Sequence, residues 1–322
     1  MEGSSNDLDE NILSKSPYIT HVIFSSGGLM GLCYLGILRY LYIENITKNI
    51  KYIAGTSIGA YFGLILALKI PIEYIEEELY KIITELNEKQ DMVITKNNIF
   101  QLFQSNGIYD IRFLMSPIVK YIKTEYDVTD LTYIELTKKT GVNLYVSCTC
   151  LNTSSNKIFS IENTPNVSVL ESVLASMSIP FFIHPVCIDG EYYIDGIMSK
   201  SPQVDNFFLD VNEYNILSFL LYSTCKEDIQ VYEKDTRFNF VTYTIRMLQI
   251  MLSTLIAHTT DNMENPKYNN VMKIKNLPYS KVVKFRIKND EILIDVTHED
   301  MENMILKGFV DVTNYMNKRY NN

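Results

Sequence analysis

The chain has no tryptophan, only four histidines, five cysteines and nine prolines in 322 residues. It is also short of positive charge: 29 Lys and Arg stand against 38 Asp and Glu, a formal net charge of -9. That balance argues against nucleic acid as a partner, because phosphate backbones are held by clustered Lys and Arg. It argues equally against docking on anionic membranes by bulk charge, and leaves apolar insertion or a local basic patch open. The cysteines (Cys33, Cys148, Cys150, Cys187, Cys225) are odd in number and scattered. No second pair completes a zinc pattern around Cys148-Thr149-Cys150, so no metal or cofactor is expected and the thiols read as free, in a reducing compartment. Residues 1–17 are polar and acidic, without the apolar stretch of a signal peptide. The expectation is a cytoplasmic protein with a disordered 17-residue tail, whose sequons at Asn45, Asn152 and Asn166 arise by chance. No uncharged apolar run reaches membrane-spanning length. The 23 tyrosines supply amphipathic rings, which by themselves establish no lipid contact.

What is present is an ordinary globular balance, 47% hydrophobic and 21% charged. The length is large for one domain but within the reach of α/β folds. Short apolar runs alternate with helical periodicity. His21–Phe24 and Lys51–Ala54 read as buried strands. A helix is expected from Leu29 to about Glu44, on the spacing of Leu32, Leu35, Leu38 and Leu41. Pro71 opens another that runs to about Asn87. Helices are expected at 110–123, at 132–140 with Gly141 as C-cap, and at 168–176. Asn143–Cys150 is a strand, and Val186–Ile194 is a hairpin turning at Asp189-Gly190. Asn215–Tyr222 and Val282–Ile287 are further strands. A last helix runs from Thr297 to about Arg319, with Thr297 and Asp300 placed to cap it. This order predicts a single three-layer α/β/α domain over 18–322 with a mainly parallel central sheet.

The stretch Gly55-Thr56-Ser57-Ile58-Gly59 lies where the second strand turns into its helix. Small residues flank a serine on a sharp turn, which projects its hydroxyl at the C-terminal edge of a sheet, above a positive helix end. The plain alternative is a strand-to-helix turn with an N-cap serine. A nucleophile also needs an oxyanion site and a base. Gly27-Gly28-Leu29-Met30-Gly31, between the first strand and its helix, can aim backbone amides into one concavity. The same loop could cradle a phosphate, although the dinucleotide fingerprint and the P-loop Gly-Lys-Ser/Thr are both incomplete. For the base, Asp195 ends the strand Tyr192–Ile194. Its ordinary pKa of about 3.9 makes it a weak base, and partial burial would raise it. A solvated Asp-Gly turn is the competing account, and Asp189-Gly190 is such a turn.

These stretches resemble the patatin-like phospholipase family over roughly residues 18–205. The resemblance rests on the glycine loop, the Gly55–Gly59 elbow, and Leu131–Leu136 leading to Thr140-Gly141. It rests also on Ala175-Ser176-Met177-Ser178-Ile179-Pro180 and on the hairpin Ile188–Gly196. It implies hydrolysis of lipid acyl esters, most often phospholipids, by a Ser–Asp dyad that needs neither histidine nor calcium. Ser57 is then the nucleophile and Asp195 the base, with oxyanion donors from Gly27 to Gly31 and a lipid surface as the place of work. The chain departs from the family at Ser26 (usually Gly), Met30 (usually Arg or Lys) and Ile197 (usually Gly or Ala), and is short over Met198–Pro202. Those departures leave a non-catalytic lipid binder as the alternative. A histidine triad is another, since Ser57, Asp195 and then His258 or His298 follow the α/β-hydrolase order. Both histidines sit at helix ends, where an interaction with the helix terminus accounts for them. His184 is expected near the site, held by backbone geometry. A helix over 241–258 is expected to bury its wide apolar face, with a membrane or dimer surface as the alternative use.

Overall fold

A computed structural model describes residues 18–89, 93–94, 104–199, 215–222, 271–275, 284–288 and 291–320, with helical residues 243, 246, 247 and 250. The 17-residue tail and most of the expected 241–258 helix lie outside the described residues. Within it, Tyr243, Met247 and Ile250 are 55%, 40% and 45% exposed. At helical spacing they share a face, while the stripe expected to be buried (Ile245, Leu248, Met251, Leu252 and Leu255) lies outside the described residues.

In chain order the elements are β1 His21–Phe24, a 3-10 helix Gly28–Leu32, α1 Cys33–Ile43, β2 Tyr52–Thr56, α2 Ile58–Ala67 and α3 Ile72–Lys89. Then come β3 Val93–Ile94, α4 Ser116–Tyr126, α5 Tyr133–Thr140, β4 Asn143–Cys150, β5 Ser155–Phe159 and α6 Val169–Ser176. The remainder is β6 Val186–Ile188, β7 Glu191–Asp195, β8 Ile216–Tyr222, β9 Val271–Lys275, β10 Lys284–Lys288, β11 Glu291–Asp295 and α7 His298–Tyr320.

The central sheet has the order β6-β7-β4-β2-β1-β8-β9, with β5 also on β4. Pairings from β4 through β2, β1 and β8 to β9 are parallel. The flank made by β5, β7 and β6 is antiparallel, and tight turns join β4 to β5 and β6 to β7. Helices flank this sheet, which makes the fold the mixed α/β architecture expected. Strands β10, β11 and β3 form a second, antiparallel sheet. Phe24 of β1 stacks on Phe219 and meets Tyr34 edge-on, on the face that α1 and α2 cover. Ile23, Ala54 and Ile216 form a smaller cluster on the other face, with Tyr52 and Tyr145 packed over it.

Local chemistry explains most element boundaries. Thr132 caps α5 in a reciprocal box with Glu135, and Gly141 closes it at φ 72. Thr297 and Asp300 do the same for α7, with Asp300 N–H 3.1 Å from the Thr297 hydroxyl. Asp189 and Gly190 both take positive φ, as a two-residue hairpin turn requires. Two expected helices start differently. The one read from Leu29 begins as a 3-10 helix and becomes α-helical only at Cys33. The one read from 110 is a short 3-10 helix over Arg112–Met115, and the α-helix follows where Pro117 fits its first turn. No described helix is long and apolar enough to cross a membrane.

The C-terminal helix α7 packs directly on α1, and the two backbones touch. A Cβ on Gly308 would sit 2.0 Å from the Cys33 carbonyl oxygen, and one on Gly36 would sit 1.9 Å from that of Ile305. No side-chain rotation relieves a clash with main chain. Gly308→Ala is therefore expected to lower unfolding stability by ~1–3 kcal/mol, the usual penalty of overpacking. The shift of the urea midpoint measures it; an unchanged midpoint would show that the helices separate freely.

Candidate active site

Ser57 stands between β2 and α2 with φ 57 and ψ -132, a conformation that a non-glycine residue adopts only under constraint. The constraint is the packing of the elbow. A Cβ on Gly55 would lie 2.5 Å from the Gly59 carbonyl oxygen, and one on Gly59 would lie 2.4 Å from that of Phe24. The two glycines thus let α2 start almost in contact with β1 and β2. The turn lifts the serine above the helix N-terminus, where the residue is 4% exposed.

Asp195 reaches the same place from the far side of β4. That strand lies between β2 and β7, with Thr56 opposite Ser147 and Asp195 opposite Cys148. The two residues therefore end strands on either side of one intervening strand, roughly 10 Å apart by sheet spacing. Their side chains approach across that strand, and the Ser57 hydroxyl comes close enough to pull the pKa of the Asp195 carboxyl down. The Ile197 N–H donates to Asp195 Oδ1, at 2.9 Å. The aspartate is 1% exposed. Burial pushes its pKa up from 3.8 to about 7, against the opposing pull of those two groups. Cys148 of β4 faces the carboxyl and stays a thiol, because burial raises its pKa well above the ordinary range. Asp189, by contrast, is exposed at the hairpin tip.

The glycine loop narrows to a smaller set of donors than the sequence suggests. Met30 donates its N–H to the Gly27 carbonyl at 3.1 Å, which closes the first 3-10 turn, and its side chain is buried. Gly31 is a packing position, since a Cβ there would lie 2.4 Å from Ile58 Cγ1. Gly28 and Leu29 open the 3-10 helix, and among the described residues their N–H groups meet no carbonyl. The N–H of Ile58, the first residue of α2, is in the same situation. Sequence reading passed over Ile58, although the amide that follows an elbow serine is the expected oxyanion donor.

The histidines lie elsewhere or play other parts. His298 Nε2 lies 2.8 Å from Thr84 Oγ1, and its ring packs edge-on against Tyr80, both on α3. His21 stacks on Tyr52 at the start of β1, the opposite end of the strand from the elbow. His184 is held by backbone geometry, its N–H bonded to the Tyr109 carbonyl at 3.1 Å. His258 lies outside the described residues. Among the described residues the groups that act on the Asp195 carboxyl are Ser57 and Ile197, and no imidazole is one of them.

The fold and this site define a class: an α/β protein with a serine on a strand–elbow–helix turn, beside a buried carboxyl group. The sequence places it more narrowly. Residues 22–207 match the family model described as patatin-like phospholipase, and the chain belongs to that family. It is 29% identical over 179 residues to the uncharacterized protein R571 of Acanthamoeba polyphaga mimivirus, covering 55% of this chain and 58% of that protein. It is 24% identical over 234 residues to the probable lipid hydrolase 463L of Invertebrate iridescent virus 6, covering 70% of this chain and 79% of that one. The chain thus spans little more than half of the mimivirus relative. Among solved structures, VipD from Legionella pneumophila shares the fold, with a TM-score of 0.52 at 15% identity over 94% of this chain and 67% of that one.

The raised carboxyl pKa has a stability consequence. Unfolding returns Asp195 to about 3.8, so above pH 7 the native state carries an ionised group that the unfolded chain solvates better. At about 1.4 kcal/mol per pKa unit, the cost approaches ~4 kcal/mol. Asp195→Asn removes it. The variant is expected to melt above wild type at pH 8, with the gap closing as pH falls from 7 toward 4. Equal melting temperatures at pH 8 would mean that the carboxylate is not desolvated.

Proposed function

We propose that the protein is a lipid acyl hydrolase, a phospholipase A-type esterase working through a Ser57–Asp195 dyad and an acyl-enzyme. One observation carries the reading: the elbow serine stands beside a buried carboxyl group, whose burial pushes its pKa up to about 7. A carboxylate with an ordinary pKa would accept the serine proton poorly, and one matched to neutral pH accepts it far better. Ser57 Oγ attacks the ester carbonyl carbon as its proton passes to Asp195. The oxyanion is received by the amides of Gly28 and Leu29 in the glycine loop, together with that of Ile58. Each such donor is typically worth ~10²–10³ in rate. Asp195 returns the proton to the leaving alkoxide. A water then gives its proton to Asp195 and attacks the acyl carbon, and the serine is restored with release of the fatty acid.

Lipid as the substrate class is supported by family membership and by the likeness to a probable lipid hydrolase. We place the work at a membrane surface, in a reducing cytoplasmic setting. The free thiols of Cys33, Cys148, Cys150 and Cys187 support the second point. Phe181 supports the first. It is 45% exposed at φ 68 on the turn that leads from Ser178, beside Asp195, to β6. The next carbonyl, Phe182, accepts from Ile108 and Tyr109 N–H at 3.0 and 2.8 Å. An apolar ring is thus held out on a rigid turn close to the dyad.

A fluorophosphonate probe should label wild type and leave Ser57→Ala unlabelled. Ser57→Ala and Asp195→Asn should each lose ~10³-fold or more in ester hydrolysis, while His298→Ala keeps its rate. Because the base must be ionised, kcat/KM should fall about tenfold per pH unit below about 7. A folded protein that takes no label would instead be a lipid binder on this scaffold.

Phe181→Asp should weaken binding and hydrolysis of phospholipid vesicles severalfold, yet leave hydrolysis of a soluble short-chain ester unchanged. Equal loss on both substrates would make Phe181 part of the cleft and not of a membrane contact.

A further inference from the structure

The strained elbow needs something to hold it, and the holder lies 119 residues away. The Ser57 N–H donates to Ser176 Oγ at 2.8 Å. Ser176 Oγ in turn donates to the Ser147 carbonyl of β4 at 2.7 Å. Two residues further on, the Ser178 carbonyl accepts the Asp195 N–H at 2.9 Å. The C-terminus of α6 therefore grips the main chain of the nucleophile with one residue and that of the base with another. Ser176 and Ser178 are both fully buried. The segment is itself fixed: Met177 N–H bonds the Val173 carbonyl at 3.1 Å, and the Ser178 hydroxyl bonds that of Leu174 at 2.9 Å. The Ser147 carbonyl that Ser176 uses is also the surface against which Gly196 is pressed, since a Cβ on Gly196 would lie 2.3 Å from that oxygen.

We propose that Ser176-Met177-Ser178 is a clamp that sets the registration of the two dyad residues, with Ser176 the positioning residue for Ser57. This rests on the hydrolase reading above. The argument is one of competing conformations. Ser57 holds φ 57 against the ordinary preference for negative φ. Its N–H points inward, where among the described residues the Ser176 hydroxyl alone meets it. Remove that oxygen and the buried N–H loses its partner. The peptide between Thr56 and Ser57 can then rotate toward a relaxed conformation, and the serine oxygen swings off the carboxylate. A displacement of this kind costs rate far more than it costs binding of substrate.

The test compares wild type, Ser176→Ala, Ser176→Thr and Ser172→Ala. The last removes another fully buried hydroxyl of the same helix, one turn before Ser176, which bonds Tyr133 at 2.7 Å and makes no bond to the main chain of Ser57 or Asp195. Steady-state hydrolysis of a soluble ester, fluorophosphonate labelling rate, the pH–rate profile and melting temperature are measured for each. Ser176→Ala is expected to lose roughly 10- to 100-fold in kcat with KM little changed, and to slow labelling by the same factor. Its acid limb should move to higher pH, because the Asp195 carboxylate loses the Ser57 donor that favours ionisation; Cys148, the other titratable group facing it, stays neutral throughout. Ser176→Thr keeps the hydroxyl and should recover most of the rate; where its extra methyl prevents folding, Ser176→Cys takes its place and recovers part. Ser172→Ala should melt earlier yet keep kcat and the acid limb. The proposal is overturned if folded Ser176→Ala keeps wild-type kcat and acid limb, or if its losses match those of Ser172→Ala at equal loss of melting temperature. A folded wild type that never labels would retire the hydrolase reading itself, a result distinct from either of these.

Discussion

A carboxyl group sealed from water, with two neutral donors turned toward it, is the constraint on which this molecule is arranged. Asp195 is 1% exposed, and what opposes its burial is the Ser57 hydroxyl and the Ile197 amide. A buried charge met by hydrogen bonds alone remains expensive, so the group titrates near neutrality and not at the ordinary acid value. That same expense suits it to the proposed role of proton acceptor. Stability and reactivity are set against each other at one atom, and the surrounding fold supplies the difference.

The sheet supplies it by interposing β4. Strands β2 and β7 never pair; each pairs with β4, one parallel and one antiparallel. Both dyad residues therefore stand at the same end of the sheet, although their chains approach it from opposite directions. An antiparallel flank on a parallel core makes this possible: β7 ends where β2 ends, so its last side chain and the first residue past β2 face each other. Helix α6, lying over this junction, then touches both ends at once through Ser176 and Ser178.

Much of this was legible in the chain and some was not, for reasons that separate local from distant chemistry. Local signals were reliable. Thr132 with Glu135, Thr297 with Asp300, Asp189-Gly190 and the Gly55–Gly59 elbow each specify their geometry within a few residues. Apolar periodicity was blunter: it placed a helix at Leu29, but could not tell a 3-10 start from an α-helix, because both bury residues three apart. Strand β9 (Val271–Lys275) passed unread, since its two lysines and neighbouring asparagines hide the alternation. The Ala175–Pro180 stretch was legible as part of the family pattern, but what the Ser176 hydroxyl meets was not. A serine at the end of an apolar helical run looks like any small core residue until the fold brings it against a backbone 119 positions away.

The departures from the family pattern become intelligible once the site is seen to run on main-chain groups. Met30 stands where relatives carry a cation, yet the loop does not need one to keep its shape: the Met30 amide closes the turn on Gly27 and its side chain packs into the core. Ile197 stands where a glycine or alanine is usual, and positive φ would indeed be forbidden to it. The chain asks for none. Gly196–Met198 forms a short 3-10 turn, and the only duty of residue 197 is to present an N–H to Asp195 Oδ1. Any residue but proline can do that. The steric demand falls instead on position 196, where a side chain would strike the Ser147 carbonyl. A site assembled from amides and carbonyls tolerates replacement of its side chains wherever the backbone keeps its path. The positions that cannot vary are those where two backbones touch, or where a hydroxyl links one to another.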